Sequence, residues 1–381
     1  MTVVAESGSD GGKRLAIYMS DLSGGGVEAM KLRLIPVLCA AGWDVTLLLS
    51  VARGELKGAL TDNVRVQELG GGRALADLIP LAQFLRQRRP HVLLSSLNHN
   101  NLVAILAKIL SRTHTKAIFC QHNSLSNEVK EMENWKYRVV PMGYRLLNRF
   151  AARAVAVSRG VAEDMARIAG VRRDHIAVIY NPVIDADFDE RANEPVSHPW
   201  FGAGLPPVFI SAGRLTAQKD HLTLLRAFAR FRQQHIGRLM ILGAGPLLEP
   251  LQSEAAGLGI AEAVSFEGFK SNPLPYIREA HAFVLSSRYE GFCNAIVEAL
   301  GCGTQVIATD CPYGPAEILQ GGEFGTLVPV GDVEAMAAAM IESLGTQPNR
   351  ADIIGRASEF TVEIAANNYL RLFQSVFERN H

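Results

Sequence analysis

The sequence predicts an α/β protein built from two doubly wound parallel sheets. Short apolar runs alternate with amphipathic stretches of helical length along the whole chain. Apolar runs that lack polar–apolar alternation are typical of parallel strands covered on both faces. A proline-rich break at residues 181–207 divides the pattern in two, and 381 residues suffice for two such domains.

The apolar runs predict strands, and the amphipathic stretches between them predict helices. The first half has strands at Leu15–Tyr18, Asp44–Leu49, Val92–Leu94, Ala117–Cys120 and Ala154–Val157, and helices at Gly26–Ala41, Leu75–Arg88 and Leu102–Ser111. The second half has strands at Val208–Ala212, Leu239–Leu242, Val264–Phe266, Ala282–Leu285 and Gln305–Ala308. Its helices are Thr223–Phe231, Leu247–Leu258, Pro275–Ala280, Ala295–Leu300 and Ala316–Leu319.

The break between the halves predicts a linker, because it is rich in proline, which biases its predecessor away from helix. We expect a first domain at residues 1–183 and a second domain at 184–361. The last helix, Val362–Phe377, has an apolar stripe, and we assign residues 362–381 to the first domain. Ligands bind parallel sheets at the carboxyl ends of their strands, so we expect the site in a deep cleft between two facing domains.

The formal net charge is zero, but the two halves carry opposite charges. Residues 1–181 hold 24 Lys and Arg against 15 Asp and Glu, a net charge of +9, and residues 182–381 hold 14 against 23, a net charge of −9. The zero total argues against a nucleic-acid binder, while the basic half is expected to meet an anionic partner.

Five cysteines without a CxxC pair indicate reduced thiols in the cytosol. The acidic N-terminus does not resemble a signal peptide, and every apolar run is shorter than the roughly 20 residues of a membrane span.

A glycine cluster, Gly24-Gly25-Gly26, follows the first predicted strand and opens a helix. Glycines there let backbone N–H groups approach an anion at the helix N-terminus. Gly24, Gly26 and Ala29 also satisfy the loose dinucleotide fingerprint, but the second strand ends without the acid that would hold a ribose. The cluster therefore predicts either an anion-contacting loop that is not specific for NAD or a tight strand-to-helix turn.

Two cations, Arg214 and Lys219, lie in the loop after the predicted strand Val208–Ala212. Arginine offers a planar fork for two phosphate oxygens, and lysine supplies a point charge. At the carboxyl end of a buried strand this pair predicts a clamp for a diphosphate. The alternative is two solvated cations on a loop.

Two glutamates, Glu290 and Glu298, bracket a turn and the start of a helix after the strand Ala282–Leu285. Asn294 is expected to cap that helix, which would leave the N–H groups of Asn294, Ala295 and Ile296 free for phosphate oxygens. A carboxylate one turn inside the helix can accept hydrogen bonds from a ribose diol. A carboxylate on the preceding loop can accept from the hydroxyls of a hexose. The alternative is two solvated carboxylates.

These motifs resemble those of the retaining glycosyltransferases of family 4, which have two facing Rossmann-like domains, the GT-B fold. Gly25-Gly26-Val27-Glu28 is similar to the family's GG-x-E loop, Arg214 with Lys219 to its diphosphate pair, and Glu290 with Glu298 to its E-x7-E signature. The resemblance implies that Glu298 holds the ribose and Glu290 contacts the transferred sugar. It implies no metal and no cofactor, since the nucleotide sugar is a substrate. The donor-binding residues that we assign are Gly25, Gly26, Arg214, Lys219, Phe269, Asn294, Ala295 and Glu298.

The chain departs from the family pattern at Cys293-Asn294-Ala295, where many relatives read Gly-Leu-Pro. Its continuation, residues 308–319, resembles a subset that transfers galactose or N-acetylhexosamines from UDP onto lipid-linked oligosaccharides or polysaccharides. The resemblance therefore implies a UDP-sugar rather than a GDP- or ADP-sugar. The sequence does not determine the acceptor, the linkage position or the oligomeric state.

Three further segments follow predicted strands. His122 follows Ala117–Cys120, and because a histidine near this place faces the donor sugar in the resembling family, we assign it a catalytic role beside a structural alternative. Residues 98–101 predict either an acceptor contact or a capping turn. The glycine turn at 243–246, behind the donor site, is expected to be structural, with contact to the nucleotide as the alternative.

Residues 135–150 are cationic and aromatic, which suits an anionic membrane surface. Pro141 and Gly143 are expected to break the helix there, which favours an ordinary surface helix instead.

The predicted function is a cytosolic retaining glycosyltransferase, peripheral on the cytoplasmic face of the inner membrane. It would move a hexose or N-acetylhexosamine from a UDP-sugar to a hydroxyl of a glycan or lipid-linked acceptor. Arg214 and Lys219, with the amides of Asn294 and Ala295, would stabilise the leaving diphosphate. The alternatives are a nucleotide-sugar epimerase or a phosphorylase of the same fold, an NAD-dependent oxidoreductase, and a non-catalytic scaffold.

Overall fold

The computed structural model describes residues 12–23, 26–54, 56, 58, 64–131, 135–346 and 349–378, without the side chains of 130–139. By its contacts the chain divides into two compact units. Unit 1 comprises Met1–Ala156, Ala162–Ile179 and Ala365–His381, and unit 2 comprises Val157–Val161 and Tyr180–Ile364. Each unit is built on its own parallel sheet.

The sheet of unit 1 contains seven strands among the described residues: β1 (Lys13–Met19), β2 (Trp43–Leu49), β3 (Arg65–Glu68), β4 (Val92–Ser96), β5 (Lys116–Gln121), β6 (Arg153–Ala156) and β7 (Ile176–Val178). Their order across the sheet is β3-β2-β1-β4-β5-β6-β7, and all neighbours are parallel. The inner strands are apolar and buried, because helices cover both faces of such a sheet. The chain order reverses between β1 and β4, and ligands of doubly wound sheets bind beyond the carboxyl ends of the strands at this point.

The helices of unit 1 connect these strands: α1 (Gly26–Ala40), α2 (Leu78–Arg88), α3 (Asn98–Ser111), α4 (Leu125–Glu131), α5 (Trp135–Leu147) and α6 (Arg159–Ala169). The first three residues of α6 belong to unit 2 by their contacts, and the others belong to unit 1.

The sheet of unit 2 contains six strands among the described residues: β8 (Val208–Ala212), β9 (Arg238–Leu242), β10 (Val264–Gly268), β11 (Ala282–Leu285), β12 (Gln305–Thr309) and β13 (Thr326–Val328). Their order is β10-β9-β8-β11-β12-β13, again parallel throughout, so the carboxyl ends of β8 and β11 are adjacent. The helices of this unit are α7 (Phe188–Ala192), α8 (His221–Arg232), α9 (Leu248–Gly257), α10 (Leu274–Glu279), α11 (Asn294–Gly301), α12 (Pro315–Ile318), α13 (Val333–Ser343) and α14 (Arg350–Ala357).

The last helix, α15 (Val362–Glu378), packs on unit 1 through most of its apolar stripe. Phe373 meets Trp43 of β2 edge to face at 5.0 Å between ring centroids, and Tyr369 is 2% exposed. Ile364, in the first turn of the helix, is 44% exposed, and residues 362–364 belong to unit 2.

The predicted fold class, two parallel-sheet α/β units, is confirmed, and each predicted strand is present with boundaries within two residues. The sequence missed three strands, β3, β7 and β13. Each lies at or next to a sheet edge and has three or four residues, and β3 is exposed at all four positions. β3 therefore leaves no run of apolar residues, and β7 and β13 have only three residues each, which gives too short a pattern to stand out.

The prediction that Pro141 and Gly143 break a helix is wrong, because α5 runs through both residues. Tyr144, in the same turn, is 1% exposed and stacks on Phe119 at 5.2 Å. A Cβ at Gly143 would lie 3.0 Å from the Leu102 side chain, so the glycine lets α3 approach closely. Tertiary packing of this helix therefore offsets the loss of the backbone hydrogen bond that a proline removes.

Two further element predictions need correction. The predicted linker contains the short helix α7, whose Phe188 is buried. Residues 98–101 form the first turn of α3 rather than a loop, so the capping-turn alternative is wrong. Asn101 has tertiary partners that no local pattern reveals: its Nδ2 donates to the Cys120 carbonyl at 2.9 Å and to Tyr144 Oη at 3.0 Å.

The contact-based division falls between Ile179 and Tyr180, whereas we predicted a boundary between residues 183 and 184. In the part of the chain that the structure describes, no helix is both long enough and apolar enough to span a membrane.

Candidate functional site

The loop after β8, Gly213–Asp220, carries both predicted diphosphate ligands. Arg214 is exposed, whereas Lys219 is turned inward with 17% of its side chain accessible. Asp220 ends the loop with φ +47° and caps α8, accepting a hydrogen bond from Thr223 Oγ1 at 3.0 Å. The loop therefore presents one cation to solvent and holds the other against the protein.

The loop after β11, Ser286–Cys293, is bonded along its length to the β8 loop. Ser286 Oγ donates to the Lys219 carbonyl at 2.8 Å, and the Arg288 amide donates to the Gln218 carbonyl at 2.8 Å. Gln218 Nε2 returns a bond to the Tyr289 carbonyl at 3.0 Å. These bonds fix the two loops relative to one another at the carboxyl edge of the sheet.

Lys219 and Glu290 form a shielded ion pair between these loops. Lys219 Nζ lies 2.6 Å from Glu290 Oε1, and only 8% of the glutamate side chain is accessible. Ser287 Oγ donates to the same oxygen at 2.7 Å. Burial alone would lower the pKa of Lys219, but the Glu290 charge and hydrogen bond outweigh it and raise that pKa above its ordinary value. Glu290 thus keeps Lys219 in its ammonium form.

Helix α11 begins at Asn294, so the prediction that Asn294 caps it is wrong. Cys293 precedes the helix with φ +82°, a left-handed conformation that a side chain disfavours. The Asn294 side chain instead accepts a bond from Asn181 Nδ2 at 2.8 Å. The Ile296 amide is also not free, because it donates to the Cys293 carbonyl at 3.2 Å. The amides of Asn294 and Ala295 lie in the first turn, where helical N–H groups have no carbonyl of their own helix to bond.

Two further predicted donor-binding residues, Glu298 and Phe269, and the adjacent Cys293 also lie at the carboxyl edge of the sheet of unit 2. Glu298 is half-buried on the second turn of α11, and Phe269, directly after β10, is 67% exposed. Burial raises the pKa of Cys293 to about 12, and the Glu290 charge adds to the effect. That thiol is therefore neutral near pH 7 and is not poised as a nucleophile.

Two glycines support the β8 loop from behind, as the sequence predicted for the turn at 243–246. A Cβ at Gly243, whose φ is +141°, would lie 1.9 Å from the Gly213 carbonyl oxygen. A Cβ at Gly245 would lie 2.5 Å from the Leu215 carbonyl oxygen. Only glycine lets this turn pack directly against the backbone that carries Arg214.

We expect the Gly243→Ala variant to displace the β8 loop and to lose about 2 kcal/mol or more of unfolding free energy, since neither the backbone angle nor the space suits a methyl group. Chemical denaturation with an activity assay measures both effects. Gly257→Ala is the matched control, because a Cβ there meets nothing within 4 Å. Equal stability of the two variants would contradict the packing described.

The predicted residues of unit 1 lie on a different sheet. Gly26 is the first residue of α1, while Gly25 lies outside the described residues. His122 follows β5, and its Nε2 lies 3.1 Å from Ser96 Oγ at the end of β4. Its Nδ1 is buried without a hydrogen-bond partner among the described atoms. Burial and the charge of Lys31 lower the pKa of His122 well below its ordinary value, so the ring is neutral.

The sequence missed the residues that orient the charged groups. Ser287 and Gln218 hold Glu290 and the β11 loop, and Arg288 Nε pairs with Asp220 at 3.1 Å. Of these residues only Asp220 had a role that could be predicted from the sequence, since an aspartate before an apolar helix is typical of an N-cap. No cluster of three or more metal-ligating side chains occurs within the described ranges.

Two family models match the chain. The model described as glycosyl transferase 4-like domain matches residues 25–182, and the model described as glycosyl transferases group 1 matches residues 206–346. Between them they take in most of both units.

Curated relatives match over about half of their length. The chain is 32% identical over 180 residues to an N-acetylgalactosamine-N,N'-diacetylbacillosaminyl-diphospho-undecaprenol 4-alpha-N-acetylgalactosaminyltransferase of Campylobacter jejuni, covering 47% of each protein. It is 31% identical over 187 residues to a lipopolysaccharide 1,6-galactosyltransferase of Salmonella typhimurium, covering 47% of this chain and 49% of the relative. The chain therefore spans about half the length of the curated relatives that it matches.

Solved structures resemble the chain over nearly all its length. Anabaena HepE, solved in complex with UDP, superposes with a TM-score of 0.74 and 21% identity, covering 95% of this chain and 100% of that one. At this identity the likeness shows the fold alone, and it confirms the predicted GT-B class.

Proposed function

The chain belongs to the glycosyl transferases of group 1 with a glycosyl transferase 4-like domain, and on that premise we propose that it transfers a sugar from a nucleoside diphosphate to an acceptor hydroxyl with retention of configuration. The observation that carries the proposal is the arrangement of Arg214, Lys219 and Glu290 on two bonded loops at the carboxyl edge of the sheet. A solvent-facing arginine and a shielded lysine suit a diphosphate, and a fixed carboxylate suits a sugar hydroxyl.

Each charged group has a distinct proposed role. Arg214 binds two phosphate oxygens through its fork, while the first-turn amides of α11 bind others. Lys219 has three N–H donors, so it keeps its bond to Glu290 and still donates to the departing phosphate. These fixed donors stabilise the charge that develops on the diphosphate as the bond to the sugar breaks, which is electrostatic preorganisation.

Glu290 is proposed to position the transferred sugar. Lys219 Nζ and Ser287 Oγ both donate to Oε1 of its carboxylate. Oε2 is then the oxygen proposed to accept a sugar hydroxyl and to face the positive charge at the anomeric carbon. Glu298 is proposed to accept the ribose hydroxyls.

By its resemblance to the family, the reaction is proposed as a front-face substitution. The anomeric carbon loses its bond to the diphosphate oxygen and gains one to the acceptor oxygen on the same face. The acceptor proton passes to the departing phosphate. No cofactor and no metal take part in this proposal.

We propose a UDP-hexose or UDP-N-acetylhexosamine as the donor and a glycan or lipid-linked acceptor. The names of the Campylobacter and Salmonella relatives, and the UDP complex of the Anabaena protein, support this choice. We place the enzyme on the cytoplasmic face of the inner membrane as a peripheral protein. The net charge of +9 on the first half supports contact with anionic lipid, as do Met142 and Leu146, which are 57% and 62% exposed beside Arg145 on α5.

The alternatives receive no support from the comparisons. Neither matched family is one of dehydrogenases, and no relative described above is an epimerase or a phosphorylase.

A donor-hydrolysis screen tests the proposal without knowledge of the acceptor. Purified protein is incubated with UDP- and GDP-sugars, and the released nucleotide is measured, with NAD binding titrated in parallel. We expect slow release of UDP from one UDP-hexose or UDP-N-acetylhexosamine. Conversion of the donor sugar without release would favour an epimerase, and tight NAD binding without release would favour an oxidoreductase.

A further inference from the structure

Lys31, on α1 of unit 1, is a fully buried lysine, with 0% of its surface accessible. Its Nζ donates to Tyr369 Oη of α15 at 3.0 Å and to Cys120 Sγ of β5 at 3.4 Å. It also lies 4.8 Å from the centroid of the Tyr369 ring. Among the described side chains no carboxylate lies within salt-bridge distance of Nζ.

Packing alone does not account for this residue. Burying an amino group costs free energy unless partners replace its hydration, and a thiol and a phenol are weaker partners than a carboxylate. An apolar residue of similar volume, such as methionine, would fill the same space without that cost. The presence of a charged amino group at this position, close to the strand end that carries His122, therefore needs a reason other than packing.

Cys120, which accepts from Lys31, is two residues before His122. Lys31 thus fixes the end of β5 from which His122 projects, and Tyr369 fixes Lys31 in turn. On its other side the His122 ring contacts Ser96 Oγ at 3.1 Å, while Nδ1 has no partner in the described part of the chain. The position of the His122 imidazole therefore depends on its hydrogen bond to Ser96 and on the carboxyl end of β5, to which His122 is attached.

We propose that Lys31 is a positioning residue for His122, holding the end of β5 in place and setting a fixed positive charge behind the imidazole. The proposal rests on the proposed function in one respect, the catalytic role predicted for His122. A positive charge behind the ring disfavours a second proton on it, so the ring remains an acceptor at one nitrogen. The lowered pKa of His122, caused by burial and by Lys31, agrees with this arrangement.

Other titratable groups lie on β5 and on the elements of unit 1 around it. They include Glu28 on α1, His99 on α3, Lys116 and Cys120 on β5, Glu128 on α4, Tyr144 on α5, Arg153 on β6 and Tyr369 on α15. Burial raises the pKa of Tyr144 and of Tyr369 above the ordinary range, so both are neutral near pH 7. Burial also raises the pKa of Glu128.

The test is a titration of the His122 ring by NMR in protein labelled at histidine, with the signal assigned from a His122→Gln variant. Lys31→Met removes both the charge and the hydrogen bonds, whereas Lys31→Gln removes only the charge. We expect His122 to bind a proton at least about threefold more tightly in both variants than in the parent protein. Lys13→Met is the matched control, because exposed Lys13 lies at the amino end of β1 whereas His122 follows the carboxyl end of β5 in the same parallel sheet. We expect this variant to leave the His122 titration unchanged.

Activity supplies a second readout. In UDP-sugar hydrolysis we expect the acidic limb of the pH profile to move to higher pH in both Lys31 variants. We also expect kcat to fall further in Lys31→Met than in Lys31→Gln, with KM nearly unchanged. An unaltered His122 titration in folded Lys31→Gln protein overturns the proposal, and so does a ring that stays unprotonated in every variant down to the pH of unfolding. Should no donor be hydrolysed at all, the proposed function fails, and the NMR titration still decides the role of Lys31.

Discussion

Replacement of Lys219 by methionine should lower turnover by about 10²–10³-fold and the free energy of unfolding by about 3 kcal/mol. Turnover falls because the departing diphosphate loses a fixed cation. Stability falls because the Glu290 carboxylate, now without its ion-pair partner at 2.6 Å, remains shielded from water. Nucleotide release and denaturant unfolding of the same preparation measure the two effects.

A double variant separates these two consequences. In Lys219→Met combined with Glu290→Gln the uncompensated charge is gone, and Ser287 Oγ still has an oxygen to bond. We expect the double variant to recover most of the lost stability and none of the turnover. A Lys219→Met protein as stable as the parent would show that the ion pair is solvated rather than shielded. Near-normal turnover would remove Lys219 from the diphosphate site.

The Arg214→Ala variant should also lose about 10²–10³-fold in turnover, but it should keep its stability within about 0.5 kcal/mol. Arg214 is exposed on the β8 loop, so truncating it leaves no buried group without a partner. A lysine at this position restores the charge but not the planar fork, and we expect it to recover only part of the rate. Steady-state release of nucleotide measures all three proteins.

Arg230→Ala is the matched control for Arg214. Arg230 lies on α8 in the same unit, with half of its side chain accessible, and pairs with exposed Glu334 at 2.9 Å. An exposed pair of this kind contributes little to stability, so this variant should match the parent in both rate and unfolding. If Arg214→Ala behaved like Arg230→Ala, the β8 loop would not bind the diphosphate through its arginine.

The sequence was sufficient for the elements that bury apolar residues in continuous runs. The predicted strand Val208–Ala212 matches β8 at both ends, and the predicted strand Ala282–Leu285 matches β11. Central parallel strands are covered on both faces, so their burial appears directly in the residue types. The strand β3 is exposed along its length, and its residue types carry no comparable signal.

The sequence also placed the charged residues after the correct strands, but it could not pair them. Lys219 and Glu290 are 71 positions apart and were assigned separate ligands, a phosphate and a sugar. Their contact arises because β8 and β11 are neighbours in the sheet, which is a property of strand order rather than of local sequence. The role of Ser287 and Gln218 in holding the loops follows from the same adjacency.

The amino-acid pattern by itself determined that this chain forms two parallel α/β units, and that its cations and glutamates follow strands and precede helices. It did so because hydrophobic burial and backbone geometry act over a few residues at a time. Tertiary structure alone decided that Lys219 meets Glu290, that Cys293 rather than Asn294 precedes α11, and that Lys31 is buried between β5 and the C-terminal helix. These contacts join distant segments, and their energies depend on which groups are desolvated together, which no local periodicity records.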